Sequence, residues 1–168
     1  MSSAGVGAIG HLAGELFKMM AGVSLVHVPF GGNSPALTAL LGGQVEVSFA
    51  SLPSSIEFIR TGKLRGLAVT SAMRSNVLPD LPTIGEHVPG YDVSAWYGVG
   101  APKDTPVEII DKLNKQINAG LADAKLQARI ADLGGTVAPQ SPAEFGGFIA
   151  DETEKWARVI RAANIKLQ

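Results

Sequence analysis

The chain has 168 residues, 46% hydrophobic and 17% charged, with 20 Gly and 10 Pro. That is near the size of one domain and apolar enough to bury a core, and the glycines fall between apolar runs, which excludes a disordered or low-complexity chain. A formal charge of −1, with Glu15, Lys18 and Glu46 the only charged side chains among residues 1–56, excludes a nucleic-acid partner, while the lack of cysteine excludes disulfides, thiolate metal sites and thiol catalysis.

No run of about 18 uncharged apolar residues is free of Gly and Pro breaks, so a membrane span is not expected. No signal peptide is expected either, since Met1 is followed by a small polar, Gly-rich run without a basic residue ahead of an apolar core. Residues 8–20 predict a helix, with Leu12, Leu16, Met19 and Met20 at helical spacing. The segment opening it, Ser2-Ser3-Ala4-Gly5-Val6-Gly7, is a loop of the kind that follows a strand in α/β proteins. That strand position falls before Met1, and the chain is expected to begin inside a fold.

Between residues 25 and 70 short β-branched runs alternate with short helical patterns, which predicts parallel β-α units. The strand runs are Leu25-Val26-His27-Val28, Val45-Glu46-Val47-Ser48-Phe49 and Leu67-Ala68-Val69-Thr70. Ser34 before an N1 Pro35, the stripe Leu37, Leu40 and Leu41, and the stop Gly42-Gly43 predict one intervening helix. A capping box of Ser54 and Glu57, with Ile56 and Ile59 inward and Gly62 closing, predicts the next. Residues 73–91 hold Pro79, Pro82, Pro89 and Gly90 and read as a long surface connection with one helical turn, the candidate domain boundary.

A strand is expected at about residues 93–100, after which the character changes to charged amphipathic helix. Thr105-Pro106-Val107-Glu108 opens a helix with Ile110, Leu113, Ile117 and Leu121 on one face. Leu126, Ile130 and Leu133 continue in a second, ended by Gly134-Gly135. Ser141-Pro142-Ala143-Glu144 opens a third with Phe145, Phe148, Ile149, Trp156, Val159 and Ile160 inward. The nine basic and nine acidic residues from Lys103 onward read as solvated helix faces.

Gly5-Val6-Gly7-Ala8-Ile9-Gly10 matches G-x-G-x-x-G literally. A dinucleotide site also needs a preceding strand and an acidic residue about 20 positions on. The residues there are Val23, Ser24, Leu25 and Val26, so no nucleotide cofactor is expected. What remains is a set of unobstructed amides at a helix N-terminus, which favour an anion, with Ser2 and Ser3 able to add hydroxyl donors. An ordinary helix-opening turn is the alternative. Two more loops, Pro29-Phe30-Gly31-Gly32-Asn33 and Phe49-Ala50-Ser51, share that edge in an open α/β sheet and suggest a small ligand held by backbone groups, ordinary β-α turns again being the alternative. His11, His27 and His87 have no metal-ligand spacing. Ser3 could pair with His11, but the one acid nearby, Glu15, follows His11 on the same helix, and an i, i+4 contact on the helix surface accounts for it. Neither catalytic residue nor metal is expected.

Taken together these residues resemble the periplasmic solute-binding proteins of tripartite tricarboxylate transporters, the Bug family. The resemblance runs through Ser2-Ser3-Ala4-Gly5-Val6-Gly7 with His11-Leu12-Ala13-Gly14-Glu15-Leu16-Phe17, His27-Val28-Pro29-Phe30, Pro35-Ala36-Leu37, Leu41-Gly42-Gly43-Gln44-Val45, Gly62-Lys63-Leu64-Arg65-Gly66-Leu67-Ala68-Val69-Thr70-Ser71 and Leu81-Pro82-Thr83. Trp96-Tyr97-Gly98, Ala101-Pro102 and Ala162-Ala163-Asn164-Ile165-Lys166 extend it towards the end. It implies an α/β fold: a parallel-sheet lobe of a type II periplasmic-binding-protein-like clamshell, followed by C-terminal amphipathic helices. In such a clamshell a carboxylate is gripped between two Gly/Ser-rich loops, one per lobe.

Carried over, Ser2, Ser3, Gly5, Val6, Gly7 and Ala8 would form the second lobe's carboxylate loop, with Phe30, Gly31, Ala50 and Ser51 beside it. Two departures matter. Ala8 stands where the family often has Ser or Thr, and Ala50-Ser51 where many members carry Asp or Asn after Phe49. Residues 1–95 would be the second ligand-binding lobe with its first strand missing, and residues 96–168 a hinge strand and helices of an incomplete first lobe. The resemblance implies periplasmic capture of a small carboxylate for membrane transporter subunits, without chemistry. An intracellular oligomeric enzyme or regulator reusing the lobe, or a truncated product without ligand, are the alternatives. Turnover of a carboxylate would favour the enzyme, and saturable binding of an unchanged ligand the receptor. The apolar stripes of the last helices predict a homo-oligomer.

Overall fold

The computed structural model describes residues 1–166, so the last two positions of the segment assigned to the first lobe lie outside the described residues. The elements are β1 (Ser2–Ser3), α1 (Ile9–Ala21), β2 (Val28–Pro29), α2 (Asn33–Leu41), α3 (Leu52–Arg60), a 3₁₀ turn (Ile84–Glu86), α4 (Val107–Leu121), α5 (Ala124–Asp132) and α6 (Pro142–Ala162). They fall into two compact units, one of Met1–Ala95 with the segment from Trp156 onward, the other Trp96–Lys155.

In the first unit Ser2 pairs in parallel with Val28 on one side and bridges Ser48 in parallel on the other, while Ser3 is in register with Pro29. The first strand in sequence is therefore central, and each of the three segments runs into a helix, the α/β arrangement expected. The strand before the Gly-rich loop, expected ahead of Met1, is Ser2–Ser3 itself. Elsewhere the strands are shorter than the β-branched runs suggest: two residues at Val28–Pro29 and single bridges at Ser48 and Val69. Val69 bridges Thr83 of the Pro-rich connection. Residues 94–100 form no strand: after Val93 donates to the Thr70 carbonyl at 2.8 Å the ladder stops, leaving Tyr97 and Val99 exposed. β-propensity makes a strand only where a neighbouring strand offers partners.

Helix boundaries differ by a residue or two. α2 begins at Asn33 after Gly32, not at Pro35, and α4 begins at Val107 with Pro106 in the cap position expected of Thr105. The Ser54–Glu57 box does not form, because α3 starts at Leu52; Ser51 is its N-cap, and Ser54 Oγ lies 2.8 Å from Ser51 Oγ. At α6 the box is complete, with Ser141 N–H and Oγ donating to Glu144 Oε2 and Glu144 N–H to Ser141 Oγ.

The core of the first unit centres on Ala13, Tyr91 and Val93, with Leu16, Phe17, Phe49, Ile84, Val88 and Trp156 against it. Tyr91 donates its hydroxyl to the Ala13 carbonyl at 3.0 Å, and burial raises its phenol, so it stays protonated. Its ring meets Phe17 edge-on, and Phe17 tilts onto Phe49. Gly10 lets α1 approach this layer, since a Cβ there would collide with the Phe49 carbonyl. In the second unit Trp96 packs edge-on to Phe145 and Phe148, and Asn114 and Asn118 hold the Gln140 carbonyl at 2.9 and 3.1 Å.

Candidate functional site

The parallel order, with β1 between β2 and the Ser48 segment, sends three chain segments out of one edge of the sheet. Residues 4–8 follow β1, residues 30–32 follow β2, and residues 50–51 follow the Ser48 segment. The helices α1, α2 and α3 begin directly after them. In open α/β sheets the crevice for a ligand lies at this edge, where neighbouring strands lead to helices on different sides. The loops touch one another. A Cβ at Gly5 would stand 3.5 Å from the Phe30 carbonyl, Phe30 N–H bonds the Ser3 carbonyl at 3.0 Å, and Asn33 Nδ2 donates to Ser51 Oγ at 3.4 Å. Thus Gly5 lies against Phe30, and Ser51 is joined to the second loop through Asn33. Gly31 is exposed, and Ala50 is half-buried without a polar side chain.

The first loop depends on two glycines with positive φ, Gly5 at +146° and Gly7 at +78°, values that strain a side-chain-bearing residue. Their amides are both occupied. Gly7 N–H donates to His11 Nδ1 at 3.1 Å, and Gly5 N–H to Ser3 Oγ at 3.2 Å. The amides of Ala4, Val6, Ile9 and Gly10 have no partner among the described residues. No cationic side chain lies in the three loops, so anion affinity here comes from those amides and the α1 N-terminus.

The hydroxyls of Ser2 and Ser3 do not reach the open edge. Ser2 is fully buried, and its Oγ has no partner among the described residues. Ser3 is 2% exposed, with Oγ 2.7 Å from His27 Nε2 and donating to the Gly5 carbonyl at 3.0 Å. The surface role read for His11 is corrected too. It is 5% exposed, and its ring lies flat on His27 with centroids 3.7 Å apart and planes 8° from parallel. His11 Nε2 is 3.7 Å from Glu15 Oε1, and both Glu15 oxygens accept from Lys18 Nζ at 2.8 Å.

Burial holds the His11 imidazole below its usual value against the pull of Glu15. His27 is pushed down to about 4, first by burial and then by the neighbouring His11 ring. Both rings are therefore neutral near pH 7. Because His11 Nδ1 accepts from Gly7, its proton is on Nε2, facing Glu15. The sequence did not mark His27 as part of this cluster; the available signal is one imidazole in the apolar run Leu25-Val26-His27-Val28.

Two hollows in the first unit lie away from the loop: about 380 Å³ lined by Ala72, Thr83, Gly85, Glu86, Gly90, Tyr91 and Asp92, and about 250 Å³ between α2 and α3. Residues 4–8 line neither, so the candidate site is an open edge. Among the described residues no cluster of three His, Cys, Asp or Glu could hold a metal ion, and no helix is long and apolar enough to cross a membrane.

The chain is similar to several known proteins. Bordetella pertussis BugT is 38% identical over 164 residues, 97% of this chain and 50% of BugT. A protein of the clcB-clcD intergenic region of Pseudomonas knackmussii is 31% identical, with 94% of each chain covered. Among solved structures, a Rhodopseudomonas palustris protein with adipate superposes with a TM-score of 0.90 at 37% identity, covering 98% of this chain and 55% of that one. MatC from the same organism, with bound malate, gives 0.85 at 31% identity, covering 95% of this chain and 55% of MatC. The chain thus spans about half the length of BugT and of both solved relatives. The family described as tripartite tricarboxylate transporter family receptor matches residues 1–165, and the chain belongs to that family, one of periplasmic solute-binding proteins and not of enzymes.

Proposed function

We propose that this chain supplies the carboxylate-binding loop of a periplasmic receptor that captures a small carboxylate and hands it, unchanged, to the membrane subunits of a tripartite tricarboxylate-type transporter. Residues 1–95, joined by the segment from Trp156 onward, serve as the ligand-binding lobe, and residues 96–155 belong to an incomplete first lobe. The carrying observation is the first loop: unpaired amides of Ala4, Val6, Ile9 and Gly10 at the open sheet edge, without a cationic side chain to compete. Relatives solved with adipate and with malate support a dicarboxylate as the first ligand to try.

Calorimetric titration with adipate and malate tests this. Saturable, reversible binding of unaltered ligand is expected, weaker than micromolar. A clamshell divides its contacts between two loops, and losing two charge-assisted hydrogen bonds of roughly 1.5–3 kcal/mol each costs about 10²-fold or more. Absence of binding by every small mono- and dicarboxylate tried would overturn the proposal.

We also infer that the second unit docks on another copy of this chain. Residues 96–155 include no buried residue, and Val107, Ile109 and Leu113 of α4, Leu126 of α5 and Leu133 just after it are exposed by 40% or more. Burying each such side chain gains about 1.5–3 kcal/mol, enough to drive association. A monomer by light scattering at micromolar concentration would rule this out.

A further inference from the structure

Both strained glycines of the carboxylate loop are held from behind by one pair of stacked imidazoles. Gly7 N–H ends on His11 Nδ1 at 3.1 Å, and Gly5 N–H ends on Ser3 Oγ, itself 2.7 Å from His27 Nε2. The two rings are in face-to-face contact at 3.7 Å. Holding the Gly5 and Gly7 amides inward sets the direction of the peptides between and after them, which carry the unpaired amides of Val6, Ile9 and Gly10.

We propose that His11 and His27, as a neutral stacked pair, are positioning residues of the carboxylate loop, and that protonating His11 breaks its hold on Gly7, releases that end of the loop and lowers its affinity for anions. The inference rests on the carboxylate-loop reading above.

The chemistry follows from the acceptors. A protonated His11 carries hydrogen on Nδ1 as well as Nε2 and can no longer accept from Gly7. A second proton would place two cations face to face at van der Waals distance. The charged groups around the pair are Glu15 and Lys18 from α1 and the Met1 ammonium, which donates to the Val26 carbonyl at 2.6 Å. Glu15 favours ring protonation, but its two oxygens are already held by Lys18. Burial pushes both rings the other way, and the His11 ring pushes His27 further, so the neutral pair is favoured.

The test is a pH titration of this chain by amide NMR, together with adipate binding at pH 7.5 for two variants. In the wild-type chain the Gly7 amide resonance should move with the same midpoint as the His11 imidazole, below pH 6.5. His11→Asn keeps an acceptor near the Nδ1 position without titrating there. It should bind adipate more tightly than His11→Phe does and abolish the pH response of Gly7. His11→Phe keeps the stack without the acceptor and should weaken adipate about ten-fold or more. A Gly7 amide that stays still while His11 titrates would overturn the proposal, as would unchanged adipate affinity in a folded His11→Phe. If the wild-type chain binds no carboxylate, the receptor reading fails separately, and the amide titration still decides whether the stacked pair holds the loop.

Discussion

Both units carry amphipathic helices and differ in what lies beneath those helices. Every buried side chain among the described residues belongs to the first unit, from Ala13, Leu37 and Ile56 to Tyr91, Val93 and Val159. In the second, α4 and α5 have strongly one-sided apolar faces and bury none of their residues. Amphipathic patterning therefore makes a helix in both places, but it makes a core only where a second layer meets it.

The largest expected effect tests that contrast directly. Tyr91→Ala removes a ring contacting Phe17 and leaves the Ala13 carbonyl without its donor, and it should cost about 3–5 kcal/mol in urea unfolding. Leu113→Ala on α4, at 45% exposure, should cost under about 1 kcal/mol under conditions that keep the chain monomeric. Equal losses would break the comparison. A large loss for Leu113→Ala that grows with protein concentration would instead sharpen it, by showing that a second copy supplies the missing layer.

Glycines give a second, smaller contrast. Gly7→Val forces a β-branched residue to φ +78° in the loop of the first unit, at a cost of about 1–3 kcal/mol, with loss of adipate binding. Gly120 lies inside α4 with no atom near where a Cβ would stand. Gly120→Ala should therefore stabilise the second unit by about 0.5–1 kcal/mol and leave ligand binding alone, as thermal melts and titration would register.

Much of this was legible in the sequence because it is local. Helix positions follow from apolar spacing, and Ser141 with Glu144 announces the start of α6 before any contact is known. The clustering of the three loops follows from β-α alternation, which puts Gly5, Phe30 and Ser51 at one sheet edge. What the sequence concealed depends on tertiary pairing. Strand lengths were overstated because β-branched runs such as residues 93–100 do not reveal whether a neighbour exists to complete a ladder. The His11–His27 stack joins residues 16 apart in sequence on a helix and beside a strand, and only the parallel register Ser3 to Pro29 brings them together. The i, i+4 spacing of His11 and Glu15 described their contact correctly and gave no hint that both are buried.

Acid gives a further contrast, and its sign separates the stacked imidazoles behind the loop from the surface of the first unit. His27 has its folded value lowered from 6.5 to about 4, and His11 is lowered as well. The unfolded chain therefore binds more protons than the folded one between about pH 6.5 and 4, and stability must rise with pH across that window. It is fully present above about 6.5 and is lost as pH falls towards 4. Glu86 titrates lower, held down to about 2 first by Arg74 and then by the Thr83 amide, so its contribution is lost only as pH falls from 4.5 towards 2. Exposed on the surface, that pair contributes little to stability. Urea midpoints measured from pH 7.5 to 4.5 should therefore decline in the wild-type chain and decline less in His27→Gln, which places an uncharged group against Ser3. Arg74→Ala should leave the slope over that range unchanged. If Arg74→Ala flattens the profile and His27→Gln does not, the acid sensitivity belongs to the surface ion pair instead of the stacked imidazoles behind the loop.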